Sequence, residues 1–131
     1  MIVLDASLVV ELLLQAPRAI HLTEDLLTSQ EDLHVPHLID VEVMQALRSL
    51  CARGELADRR AQEAGTDLAD LPLVRHSHDL LLGRAWELRA NLTLYDGVYV
   101  SLAELLQAPL WTLDQRIAGA PGLRTEVRVL T

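Results

Sequence analysis

Ile2-Val3-Leu4-Asp5-Ala6-Ser7 is the stretch on which the fold turns. Three consecutive apolar residues are too few for a helix and read as a short buried strand. The run stops at an acid, and beyond it Leu8 with Leu12, and Val9 with Leu13, recur at helical spacing. A strand apolar at every position, followed at once by an amphipathic helix, suits a parallel sheet covered on both faces.

The same alternation recurs along the chain. Leu33-His34-Val35 forms a second short strand stopped by Pro36, and further strands are expected over 73–74, 110–113 and 127–130. Helices are expected over 18–29, 38–52, 55–71, 78–90 and 95–107, with a short one after Asp114. Pro17, Pro72 and Pro109 mark their limits, and Gly54 follows the helix over 38–52 as a C-terminal glycine should. The expected class is α/β: one domain over 1–131, with a short central parallel sheet of about four to five strands and helices on both faces. A chain of 131 residues suffices for one core, and no repeat or linker divides it.

Composition narrows the function. Nineteen acids against eleven bases give a net charge of −8, which is unusual for a protein that grips phosphates. Acids gathered around a divalent cation do not repel a phosphate once the cation is bound, so the balance has to be read locally. All eleven bases are arginine, which excludes any mechanism that needs a catalytic lysine. The single Cys51 cannot form an internal disulfide and reads as a buried, inert thiol. Asp5 and Glu11 interrupt the apolar N-terminus and no basic segment precedes it, so neither a signal peptide nor a membrane span is expected. A cytoplasmic protein is.

Four acids stand out. Asp5 and Asp114 each follow a strand and precede a helix, positions where an acid also serves as an N-cap. Asp96 lies three residues after Thr93 in a capping-box pattern, followed by Gly97, which would let something approach the acid closely. Glu42 is the hardest to explain as structural. It sits among Leu38, Ile39, Val41, Val43, Met44 and Ala46 with no arginine within a turn, so its partner is a cation or an arginine from elsewhere. Asp40 reads as a helix-start acid, and His76 and His78 as polar surface.

Asp5 and Asp114 fall at the C-terminal ends of parallel strands, where open α/β sheets place their ligand crevices. Glu42 and Asp96 begin helices near that edge. Two carboxylates about 4 Å apart repel by about 4 kcal/mol at an effective dielectric near 20, so four converging must take up protons or bind cations. Oxygen-only donors suit Mg²⁺ or Mn²⁺, whereas the lone Cys and scattered His show no zinc spacing.

The segments Ile2-Val3-Leu4-Asp5-Ala6-Ser7, Val35-Pro36 with Glu42, Leu94-Tyr95-Asp96-Gly97-Val98-Tyr99 and Trp111-Thr112-Leu113-Asp114 occur in that order. Together they resemble the PIN-domain nucleases, in particular the VapC-type toxins of bacterial toxin–antitoxin pairs, over the whole chain. Gly97 departs from the alanine frequent there, and the lack of lysine removes one usual kind of RNA contact.

The resemblance implies that Asp5, Glu42, Asp96 and Asp114 take the acidic metal-site positions, with Ser7 and Thr112 as accessory hydroxyls. It also implies Mg²⁺- or Mn²⁺-assisted hydrolysis of RNA phosphodiester bonds, a small antitoxin that blocks the site, and a homodimer or toxin–antitoxin hetero-oligomer. Arg116 is a candidate to hold substrate phosphate, or else an ordinary surface arginine. An aspartyl-phosphate mechanism on Asp5 is disfavoured, because it needs a lysine and, in haloacid-dehalogenase-like enzymes, a second acid where Ser7 stands. The remaining alternative is a catalytically silent PIN-like module that binds RNA or protein.

Overall fold

The computed structural model describes residues 1–17 and 19–130. Its elements alternate as the apolar runs predict. β1 (Ile2–Leu4) leads into α1 (Ala6–Leu14) and α2 (Ala19–Ser29). β2 (Leu33–Pro36) then precedes α3 (Leu38–Ala52) and α4 (Asp58–Asp70). β3 (Leu73–His76) is followed by α5 (Leu82–Glu87) and α6 (Leu94–Leu106), and β4 (Leu110–Thr112), α7 (Gln115–Ala118) and β5 (Val127–Val129) complete the chain. The helix start expected at Arg18 lies outside the described residues.

The five strands form one sheet in the order β3-β2-β1-β4-β5, with every pairing parallel. β1 is fully buried at the centre, flanked by β2 on one side and β4 on the other. The chain builds outward from β1 to β3, then crosses back to add β4 and β5. The crevice between the ends of β1 and β4 is therefore the topological switch point, the place where such sheets take ligands. Leu4, Leu8, Ile39, Leu47, Tyr99, Leu102 and Leu110 pack the core beneath it, all at most 1 % exposed. Aliphatic residues make up nearly all of this core, as the scarcity of aromatics requires.

Several sequence expectations are corrected. The helix expected over 55–71 starts only at Asp58, and that expected over 78–90 is the single short α5. Residues 88–92 turn instead, with Asn91 donating to the Leu88 carbonyl, so α6 can start again at Leu94 in a new direction. Cys51 is partly exposed rather than buried; desolvation first, and then the Asp58 carboxylate, raise its pKa and keep the thiol protonated.

His76 and His78 are not plain surface. His76 Nε2 lies 2.8 Å from His34 Nδ1, and the Leu38 amide donates to His78 Nε2 at 2.9 Å. Asp40 is likewise more than a helix-start acid, since Arg75 grips both its oxygens at 2.8 and 2.9 Å. The His78 and Arg75 contacts pin the first turn of α3 to the end of β3 and the residues after it. They fix the helix that carries Glu42.

Gly97 also has a structural explanation. A Cβ there would meet the Ala85 backbone and side chain at 3.2 Å, closer than nearly all Cβ contacts. The glycine admits α5 against the first turn of α6; what approaches it is the neighbouring helix, not a ligand.

Candidate active site

Asp5 lies at the C-terminal end of β1 with its amide donating to the Trp111 carbonyl, one strand over. The residue is 6 % exposed, and its carboxylate is held at both oxygens. Oδ1 accepts from the Ser7 hydroxyl at 2.5 Å and from the Leu8 amide at 3.3 Å, while Oδ2 accepts from the Thr112 hydroxyl. Asp5 is thus the N-cap of α1. Both hydroxyls bridge further: the Leu113 amide donates to Ser7 Oγ at 3.2 Å, and the Asp114 amide donates to Thr112 Oγ1 at 2.9 Å. One network therefore fixes the ends of β1 and β4 together.

Asp114 caps α7 and is held by Arg116, whose backbone amide, Nε and Nη2 all reach its carboxylate. Asp96 lies in the first turn of α6, its amide donating to the Thr93 hydroxyl at 3.1 Å. Glu42 is carried one turn into α3, half-buried, and its Oε1 is buried with no hydrogen-bond partner. The hydroxyl of Tyr99, itself only 1 % exposed, is the second buried polar atom left unpartnered here.

Electrostatics join these groups into one site. Burial raises the Asp5 carboxyl above its usual value, against the pull of Ser7 and Thr112, and the charge of Asp96 raises it further. Glu42 is raised by burial, opposed by the Tyr99 hydroxyl and reinforced by Asp96 and Asp5. Asp96 is raised by burial and by Asp114, against Thr93 and Arg116. Asp114 alone is lowered, through the Arg116 guanidinium. Tyr99 is pushed far up by burial and then by Glu42, Asp5 and Asp96, so its phenol stays protonated beside the acids.

The four acids predicted from the sequence thus bear on one another's charge at one edge of the sheet, with Ser7 and Thr112 bound to Asp5. Tyr99 was not foreseen as a site residue. Its only signal was a tyrosine one turn after Asp96, within the otherwise small and aliphatic run 97–103. From Ser7, Glu42 and Asp114 a groove of about 670 Å³ runs between α1 and α3, past Val10 and Ala46, to Arg53.

Among the described residues, no three His, Cys, Asp or Glu side chains are drawn together as a finished metal-coordinating set. The donor chemistry nonetheless fits a hard divalent cation: carboxylate oxygens and, among the described residues, no basic group acting on Asp5 or Glu42 and no donor to the buried Glu42 Oε1. A central parallel sheet with this carboxylate edge defines a class of protein. The PIN-domain family model matches residues 2–123, and the chain belongs to that family.

Relatives it resembles within the family include ribonucleases of the VapC group. Ribonuclease VapC12 of Mycobacterium tuberculosis is 37 % identical over 130 residues, 99 % of each chain. Ribonuclease VapC1 of the same organism is 41 % identical over 98 residues, 74 % of each. Among solved structures, VapBC2 from Rickettsia felis, bound to a DNA fragment from its promoter, aligns over 100 % of both chains with a TM-score of 0.71 at 15 % identity. VapC20 of M. tuberculosis, a Sarcin-Ricin loop cleaving toxin, aligns over 95 % of this chain and 98 % of its own, with a TM-score of 0.69 at 14 % identity. At such identities the two structures share the fold alone.

Proposed function

We propose that this chain is a divalent-metal-dependent endoribonuclease, the toxin of a toxin–antitoxin pair, hydrolysing RNA phosphodiester bonds at the Asp5, Glu42, Asp96 and Asp114 cluster. The observation that carries the reading is the state of these acids at the switch point of the sheet. Asp5, Glu42 and Asp96 are pushed towards protonation by burial and by one another, and Glu42 keeps a buried oxygen with no donor. Such an arrangement is costly in an isolated fold and is relieved by a cation. The VapC ribonuclease relatives support the activity, and the VapBC2 structure supports a partner antitoxin.

Asp5 and Asp96 are the direct ligands in this reading, and Asp114 a ligand or a support for one. Bound Mg²⁺ or Mn²⁺ supplies a water of lowered pKa and neutralises charge developing on the phosphate. Ser7 and Thr112 hold Asp5 in one orientation by donating to both its oxygens. Glu42 acts as a further ligand or orients the attacking water, and the protonated Tyr99 hydroxyl supports it from the core side. Arg116 supplies a guanidinium for a substrate phosphate. Among the described residues, no helix is long and apolar enough to cross a membrane. The chain works in the cytoplasm as a homodimer or as a hetero-oligomer with its antitoxin.

The test is cleavage of total RNA by the purified, antitoxin-free protein in Mg²⁺ or Mn²⁺. Cutting is expected, and it should stop in EDTA and in Asp96→Asn. Binding of RNA without cleavage in either metal would replace this reading with that of a silent binding module.

A further inference from the structure

Arg116 does something in this fold that an ordinary surface arginine does not. Its Nε donates to Asp114 Oδ1 at 3.1 Å and its Nη2 to Oδ2 at 2.8 Å, so the guanidinium fork closes on both oxygens of one carboxylate. Among the described residues, it is the one basic group that bears on the charge of any of the four acids. The site therefore carries a single positive charge of its own, and that charge covers the acid nearest the solvent.

A divalent cation drawing on Asp114 and a guanidinium clasping the same two oxygens compete for lone pairs and repel each other. The guanidinium is the partner free to leave. It is 88 % exposed, on a side chain anchored only through its backbone in the four-residue α7, and exposed ion pairs of this kind hold weakly. Asp114 is the partner that stays, because its amide is tied to Thr112 and its Oδ1 keeps the Arg116 backbone amide. Once released, the fork lies at the rim of the carboxylate site with its donors free, and its planar geometry matches a phosphate.

We propose that Arg116 is a reversible latch: it holds Asp114 while the site carries no divalent cation, and turns to an RNA phosphate when a cation takes Asp114. This rests on the metal-dependent reading above and adds to it an order of events and a coupling. Linkage makes the coupling reciprocal: RNA that draws Arg116 away tightens the cation, and the cation that frees Arg116 tightens RNA. A cationic side chain thus substitutes for the metal in the resting state, then becomes part of the substrate grip.

The experiment is a Mg²⁺ titration without RNA, followed by NMR and calorimetry on the wild type, Arg116→Gln and Arg116→Lys. The Arg116 Nε–Hε resonance, assigned by its loss in Arg116→Lys, should move with the same midpoint as the Asp5 and Asp96 amides. Arg116→Gln should bind Mg²⁺ about three- to tenfold tighter than the wild type. Arg116→Lys, which keeps the charge but loses the fork, should fall with it. At saturating Mg²⁺ both variants should raise KM for RNA more than they lower kcat, and the salt slope of RNA binding should fall by about one.

The latch is overturned if the Asp5 and Asp96 amides respond while the Arg116 Nε–Hε resonance stays fixed. It is also overturned if Arg116→Lys matches the wild-type affinity, which would make the effect one of charge alone. If no amide near the four acids responds to Mg²⁺, the metal-dependent reading fails, and the latch with it.

Discussion

Glu104 on α6 and Glu42 on α3 are both partly buried helix glutamates, yet the fold treats them in opposite ways. Arg84 clamps Glu104 at 2.7 and 3.3 Å, the Arg124 amide adds a bond at 2.8 Å, and the same guanidinium reaches the Gly122 carbonyl at 2.7 Å. Burial pushes the Glu104 carboxyl up, but these donors outweigh it and hold the group below its usual range. Glu42 has only a phenol for company and other carboxylates for neighbours, and it is held above its usual range. Neutralised, a buried acid ties three segments together. Left without a neutralising partner among other acids, it is a standing cost that a ligand can repay.

If that contrast is right, the two sets fail differently when altered. The largest effect expected is on catalysis. Asp5→Asn, which keeps the shape but removes a charge at the best-anchored position of the site, should lower RNA cleavage at saturating Mg²⁺ by about 10²- to 10³-fold, some 2.7–4 kcal/mol of activation free energy. Its fold should survive, as read by circular dichroism and thermal melting. An Asp5→Asn enzyme that cleaves within a few-fold of the wild type would break the assignment.

At the other acid the next effect is on stability. Arg84→Met leaves Glu104 buried without its guanidinium, and should cost about 2–3 kcal/mol in urea unfolding while leaving Mg²⁺ affinity unchanged. A loss below about 1 kcal/mol would place the Arg84–Glu104 pair among ordinary surface bridges and blur the comparison.

The two acids were not equally legible in the sequence. Glu42 could be singled out because helical spacing surrounded it with apolar residues and left it no arginine within a turn, and Asp5 and Asp114 because short apolar strands ran into them. Those are local signals, and the alternating β and α elements that carry them were recoverable for the same reason. Glu104 and Arg84 stand twenty residues apart in different helices, and only the packing of α5 on α6 brings them together. Tyr99 was hidden likewise, because a tyrosine on a buried helix face reads as core until its hydroxyl is found buried, unpartnered and under the charge of the acids. Gly97 misled for a related reason: its need for close approach was real, but the object approaching, Ala85, could not be read from spacing. Features set by local periodicity were readable; those set by which helix packs on which were not.

The smallest expected effect is the most discriminating, because it depends on sign. Glu104 has its folded pKa below the unfolded one, so its contribution is present above the unfolded value and is lost as pH falls through the folded value. Asp5, Glu42 and Asp96 have folded pKa values above the unfolded ones. The folded chain then binds protons that the unfolded chain releases, so their penalty is full above the folded pKa values and is relieved as pH falls through them towards the ordinary carboxylate range. In EDTA, Asp96→Asn should therefore be more stable than the wild type at pH 7, by on the order of 1 kcal/mol for one like-charge repulsion removed. Glu104→Gln should be less stable at the same pH. Urea unfolding at stepped pH should bring the two variants towards the wild type from opposite sides as the medium is acidified. Saturating Mg²⁺ at pH 7 should reverse the order of Asp96→Asn and the wild type, since the cation stabilises only the chain that retains its ligand. If both variants destabilise the chain at pH 7 and converge from the same side, Asp96 is a satisfied structural acid like Glu104, and the distinction between the two regions disappears.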